Sequence, residues 1–403
     1  MTAADMMVNE ATREYIEAHR TQDVRDLALH ARRDDPGLDL PLALDQIAGW
    51  QTARTKLPDW AACDGIVYPP HLPMEQCSSQ AAAEVKMQLV RELVPERTSL
   101  VDLTGGFGVD FSYLSRLFDH AVYVERQKRL CDLAAHNLRA LGLVSVQVVH
   151  ADAVDYLQTM DPASMIYLDP ARRDAAGART YAIADCTPDV LALRDDLLAK
   201  APTVLVKLSP MLDWRRTVEE FDGTVSHVVV VSVGNECKEL LVVLGRVRTD
   251  DPLIVAVNDG DRLEFRLSED RHPRILPAGE LPSMQYLYEP NASIMKTGAF
   301  AALQEHMPQL AQLGANSHLF ASVEAVEGFP GRAFAIEGIG TLNKKDVRRL
   351  LAGVGQANVA VRNFPLTAQQ LRQRLKLKDG GETTVYGTTD AEGAHILVRC
   401  RRL

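Results

Sequence analysis

Apolar positions in the first 96 residues recur at three- and four-residue spacing, as in NEATREYIEAHR and VRDLALHARR, which predicts helices. Asp35-Pro36-Gly37 is expected to stop the second of them. The stretch 68–73 holds three prolines and reads as a loop, after which Ser78 or Ser79 caps a helix running to about Val94. From Ser99 the pattern changes. Short apolar runs, SLVDL, AVYVE, VQVVH, MIYLD, TVLVKL, HVVVVSV and ELLVVLG, alternate with helical stretches such as QKRLCDLAAHNLRALG, the mark of a parallel sheet flanked by helices. Only Gly234 to Lys238 separates the last two runs, so these pair antiparallel as a hairpin. Beyond Thr249 the alternation weakens into a Gly/Pro/Asp-rich stretch and then a mixed α+β region to about Gly340. The last 63 residues predict helix KKDVRRLLAGV, strand ANVAVRNF, helix TAQQLRQRLKL and strands TTVYGTT and HILVRCRR.

Composition adds little except in its distribution. With 46% hydrophobic and 24% charged residues, the 403-residue chain is that of an ordinary globular protein of two or more domains. The net charge of -10 hides an asymmetry: 12 Lys+Arg stand against 5 Asp+Glu from Thr341 onward, and 32 against 49 before it. A basic end on an acidic body can hold a nucleic acid or merely be a solvated surface. The six cysteines lack metal-ligand spacing and fit free thiols of a reducing compartment. No apolar run spans a bilayer and the acidic N-terminus is not a secretory signal, so a cytoplasmic protein with no membrane contact is expected.

Candidate chemistry begins at Val101-Asp102-Leu103-Thr104-Gly105-Gly106-Phe107-Gly108-Val109-Asp110, a strand ending in an acid, a glycine turn and a helix start. Glycine is needed where a Cβ would block close approach of a ligand. The dinucleotide fingerprint is not met, because its third glycine position is Phe111. About twenty residues on, the second strand ends in Glu125-Arg126, where a carboxylate can accept from both hydroxyls of a ribose. Asp152-Ala153 follows the third strand, placed to accept from an adenine amino group. Each acid alone reads equally well as a helix cap; together with the turn and the hairpin they read as a cofactor site. The fourth strand ends in Asp169-Pro170-Ala171-Arg172, with Arg173 and Lys207 near the same sheet edge as candidate phosphate contacts.

Seven strands ending in an antiparallel hairpin, with these motifs, resemble the class I S-adenosylmethionine methyltransferases. Asp169-Pro170 resembles the Asp/Asn-Pro-Pro-aromatic motif of nucleic-acid amine methyltransferases, with Ala171 and Arg172 replacing the second proline and the aromatic. Met74 to Ser79 is similar to the short motif that closes over the methionine end of the cofactor in such enzymes, although a plain helix cap explains it as well. From EQCSSQ, VDLTGGFGVD, YLDPARRD, YLYEPNASIMKTGAF and VRNFPLTAQQLRQRLKLKDGGETTVYGTT, residues from about Leu57 to Leu403 resemble a bacterial class I methyltransferase with a C-terminal THUMP-like domain.

That resemblance implies an α/β fold: a Rossmann-like, seven-stranded class I methyltransferase sheet at 97–249, a helical N-terminal domain at 1–96, a small ferredoxin-like α+β domain at 250–340 and a THUMP-like domain at 341–403. S-adenosylmethionine would be bound by Gln76, Ser79, Asp102, Thr104, Gly105, Gly106, Phe107, Gly108, Glu125, Arg126, Asp152 and Ala153. Asp169, Pro170 and Arg172 would act on the acceptor, an exocyclic nitrogen in structured RNA (rRNA or tRNA), gripped by Arg362, Arg372, Arg374, Lys376 and Lys378. No metal is implied. A protein or small-molecule acceptor, or a non-catalytic RNA-binding protein on the same fold, are the alternatives.

Overall fold

The structure is a computed structural model and describes residues 8–30, 37–69, 71–172 and 183–403; the expected stop at Asp35-Pro36 and the candidate Arg173 lie outside them. The chain divides into two compact units, residues 1–228 with 238–250, and residues 229–237 with 251–403. Helices and a parallel sheet share the first unit.

Seven strands of this sheet come first along the chain: β1 (Ser99–Asp102), β2 (His120–Glu125), β3 (Val146–His150), β4 (Met165–Leu168), β5 (Thr203–Leu208), β6 (Val225–Val233) and β7 (Glu236–Gly245), the last two divided between the units. They lie in the order β3-β2-β1-β4-β5-β7-β6. The first five are parallel, and β7 runs antiparallel to β5. The expected hairpin closes on Gly234-Asn235, both at positive φ, the two-residue loop whose twist suits adjoining strands. The chain leaves β1 towards β2 and β3, then crosses back to β4 on the other side of β1, which makes the carboxyl ends of β1 and β4 a topological switch point where open α/β sheets bind ligands.

Helices α1 (Glu10–His19), α2 (Val24–His30), α3 (Leu40–Lys56) and α4 (Pro58–Ala61) open the chain. The end of this segment packs where the site forms: Leu57 and Trp60 share a core with Phe107, Val109 and Tyr113, and the Trp60 indole N–H donates to Ser112 at 3.2 Å. Residues 68–73 are not all loop, because α5 (His71–Gln76) begins inside them. Proline is tolerated there, since the first-turn N–H groups of a helix have no partner to lose. Ser79 caps α6 (Gln80–Leu93) by accepting from the Ala82 N–H. Then come α7 (Val109–Leu114), α8 (Lys128–Ala140) and α9 (Ala153–Thr159).

In the second unit the weakly patterned stretch after Thr249 is itself a hairpin, β8 (Leu253–Asn258) with β9 (Asp261–Arg266), β8 lying beside β6. The expected seven-stranded sheet is thereby carried to nine strands. The turn is Asp259-Gly260, and the run LIVAVN before it is buried along most of its length. Its continuous apolar pattern lacks the alternation that marks a strand against polar surroundings. A second sheet comprises β10 (Tyr286–Pro290), β11 (Ala311–Gln312), β12 (Phe320–Ser322), β13 (Gly331–Thr341), β14 (Asn358–Val361), β15 (Thr383–Thr389) and β16 (His395–Arg402), in the order β11-β12-β10-β13-β16-β15-β14. The two ranges divided at 340 in the sequence thus contribute strands to one sheet. One face packs Leu287, Phe334, Tyr386 and Val398; the other packs Val385 and Leu397 beneath α10 (Lys344–Leu350) and α11 (Ala368–Leu375).

Candidate active site

The turn after β1 is built by close approach. A Cβ on Gly105 would lie 2.1 Å from the Tyr123 ring, whose hydroxyl donates to the Gly106 carbonyl at 2.5 Å. Gly108, at φ +88°, opens α7 in the left-handed region that glycine enters freely. The backbone is drawn tight by acids from two strands. Asp102 accepts from the Thr104 N–H at 2.9 Å, and Glu125 accepts from the Gly106 N–H at 3.1 Å with one oxygen and from the Gln127 N–H at 2.8 Å with the other. Burial pushes the Asp102 carboxyl well above the usual range, outweighing the Thr104 N–H that favours its ionised form. Thr104, where the family motif has glycine, uses its hydroxyl to accept from the Asp169 N–H at 2.6 Å and so ties the turn to the end of β4.

Asp102, Thr104, Gly105, Gly106, Gly108, Glu125 and Asp169 therefore converge at the switch point. The Phe107 ring is core, 4.9 Å from that of Trp60, leaving only its backbone for a ligand. Asp152 caps α9, accepting from the Val154 N–H, with Ala153 as the first helical residue. Gln76 and Arg126 are exposed. Pro170 is buried; Arg172 pairs through its backbone with Cys186, and its side chain lies outside what the structure describes.

Beneath Asp169 lies a cluster of buried charge. The Lys207 ammonium, on β5, donates to Asp169 Oδ2 at 2.6 Å and stands 3.8 Å from Asp110 and 4.0 Å from Glu239. Lys86 of α6, fully buried, is ion-paired with Asp110 at 3.0 Å and with Glu239. Ser78 Oγ lies 2.8 Å from Asp110 and 2.7 Å from Glu239, and the Tyr167 hydroxyl donates to Asp110 at 2.7 Å. Burial opposes charge on Asp110, but the ammoniums of Lys86 and Lys207 and the Tyr167 hydroxyl overcome it and hold its carboxyl well below the usual range. Burial likewise opposes charge on Lys207, yet Asp169, Asp110 and Glu239 hold its ammonium above the usual lysine range. Desolvation raises the Asp169 carboxyl despite Lys207. Lys207, buried among carboxylates, is thus no phosphate contact. Ser78 rather than Ser79 faces the cluster.

In the second unit the five candidate RNA contacts separate into two groups. The Arg362 guanidinium meets the buried Glu289 carboxylate at 2.5 Å, where Tyr386 also donates at 3.0 Å, and Arg372 pairs with Asp379 at 2.5 Å. These two are already ion-paired within the unit. Arg374, Lys376 and Lys378 are exposed at and after the end of α11.

Residues 331–402 match the family described as THUMP domain-like, and 286–330 the family described as ferredoxin-like domain. Among solved structures, a candidate methyltransferase from Porphyromonas gingivalis W83 is 34% identical, covers 97% of both chains and superposes with a TM-score of 0.83. The chain belongs to this family, the bacterial class I S-adenosylmethionine methyltransferases with a C-terminal THUMP-like domain. A candidate methyltransferase from Streptococcus mutans in complex with SAH and an rRNA methylase from Streptococcus thermophilus are each 15% identical over 41% of this chain, covering 97% and 95% of theirs, with TM-scores of 0.32 and 0.31. Those two lend no weight to the assignment. No curated protein matches the sequence. Among the described residues no helix is long and apolar enough to cross a membrane.

Proposed function

We propose that the protein methylates structured RNA, with S-adenosylmethionine as donor. The observation that carries the cofactor reading is the Glu125 carboxylate held by the Gly106 and Gln127 N–H groups: each oxygen keeps a lone pair for a ribose hydroxyl. The residues fit the cofactor, since Glu125 offers paired acceptors for a ribose and Gly105, whose Cβ would strike the Tyr123 ring, lets the turn close against β2 beside them. Asp152 would accept from the adenine amino group, the backbone from Thr104 to Gly108 would line the turn, and Gln76, Ser79, Arg126 and Ala153 would border it. S-adenosylmethionine supplies an electrophilic methyl group on sulfonium. Asp169 and Pro170 would orient the acceptor. An exocyclic amine is the acceptor that the Asp-Pro motif suggests; Lys207 favours a second reading, a hydroxyl.

Calorimetric titration with S-adenosylhomocysteine tests the cofactor site. Micromolar binding is expected, weakened about 100-fold by Glu125→Ala, because two charge-assisted hydrogen bonds go together. No binding to folded protein would favour a non-catalytic RNA-binding protein.

The RNA reading rests on the THUMP-like match and the basic end. Replacing Arg374, Lys376 and Lys378 by alanine should weaken RNA binding and lower the slope of log affinity against log salt by about 2, since each lost phosphate contact removes roughly 0.7–0.9. An unchanged slope would remove these residues from the interface.

A further inference from the structure

The geometry points to a ribose 2′-hydroxyl, rather than a base nitrogen, as the acceptor: Asp169 takes its proton and the Lys207 ammonium stabilises the oxyanion. This rests on the RNA methyltransferase reading and names the acceptor at that site.

The two lysines are not equivalent. Lys86 is matched at close range by Asp110 and Glu239, whereas Lys207 has Asp169 as its nearest partner, with the other two carboxylates at 3.8 and 4.0 Å. Lys207 is thus the cation nearest the acceptor side of the cluster. Its side chain is 10% exposed, that of Asp169 40%. Lys207 occupies Asp169 Oδ2, and among the described residues no hydrogen bond is made to Oδ1, which is the oxygen that would meet the acceptor.

A neutral amine attacks through its lone pair and gains positive charge as the bond forms, so a fixed ammonium beside it raises the barrier. A hydroxyl gains negative charge at oxygen as its proton leaves, and the same ammonium lowers the barrier. An aliphatic hydroxyl is also un-ionised at neutral pH and requires a base, which an amine does not. Asp169 is a carboxylate at the solvent edge, able to take that proton and pass it to water. Lys207, held cationic by three carboxylates, cannot take it. In the balanced step the O–H bond breaks, its proton goes to Asp169, an O–CH3 bond forms, and the C–S bonding pair stays on sulfur.

The test incubates the full chain with total RNA from cells lacking the gene and tritiated-methyl S-adenosylmethionine. A 2′-O-methyl group blocks the hydroxyl through which alkali cleaves RNA. Label is therefore expected in alkali-stable dinucleotides. Label in base-methylated mononucleotides overturns the hydroxyl and leaves RNA methylation standing. Unlabelled RNA from protein that binds S-adenosylhomocysteine overturns the RNA reading and this inference with it. Lys207→Met should lower RNA labelling at least 100-fold with S-adenosylhomocysteine affinity changed less than threefold, and Lys207→Arg should recover part of the loss. Equal loss of affinity would make Lys207 structural. Should the Met variant not fold, the wild-type product still decides.

Discussion

Lys86→Met should destabilise the protein by about 3–5 kcal/mol, the largest stability effect expected of any single substitution here. The ammonium is wholly buried and joined to Asp110, Glu239 and Ser78. Removing it leaves two carboxylates in low dielectric with Lys207 as the one cation near them among the described residues, and an uncompensated buried charge is far more costly than the loss of the ion pair itself. The expected drop in Tm, read by scanning calorimetry, is on the order of 10 °C for a unit of this size. Combining it with Asp110→Asn and Glu239→Gln should recover much of that loss, because the neutral side chains no longer demand a counter-charge. A drop of only one or two degrees for the single variant would mean that water reaches the cluster. By contrast, Arg372→Ala at the half-exposed pair with Asp379 should change stability by no more than about 1 kcal/mol.

Much of the fold is legible in the sequence, for physical reasons that differ between elements. The strands of the first sheet are flanked by helices of different periodicity, and the Gly234-Asn235 turn allows one pairing for the runs beside it. TTVYGTT and HILVRCRR match their observed strands residue for residue, joined by the turn Asp390-Ala391-Glu392-Gly393-Ala394. The hairpin at 253–266 is obscured because its buried run has no polar alternation. The glycine turn after β1 is legible because glycine, strand ends and acids keep a fixed spacing. The charge cluster is not, since Lys86, Asp110, Lys207 and Glu239 are spread over 154 positions of chain. Each lysine nevertheless leaves a local trace. Lys86 falls on the buried stripe of α6 with Ala82, Ala83, Leu89 and Val90, and Lys207 interrupts the otherwise apolar strand TVLVKL. A charged residue inside a buried pattern must have partners, so two lysines on such patterns are in themselves the signature of a buried ionic site.

Asp169→Asn separates the two acceptor chemistries most sharply. Asparagine keeps the side-chain oxygen that would orient an exocyclic amine, so an amine methyltransferase should retain its rate within about tenfold. It cannot take a proton, so transfer to a hydroxyl should fall by roughly 10²–10⁴. We expect the larger loss, with S-adenosylhomocysteine affinity preserved, because Glu125 and the glycine turn do not depend on that carboxyl. The pH profile of the wild type carries the same information. Desolvation, opposed by Lys207 and reinforced by Asp110 and Glu239, raises the Asp169 carboxyl above the ordinary aspartate range near 3.9. Only the ionised form is a base, so the rate should climb as pH rises through that elevated pKa and then level off. The three carboxylates around Lys207 hold its ammonium above the usual lysine range, so no descending limb should appear below about pH 10. A rate retained in the Asn variant would exclude Asp169 as the base and return the acceptor to nitrogen.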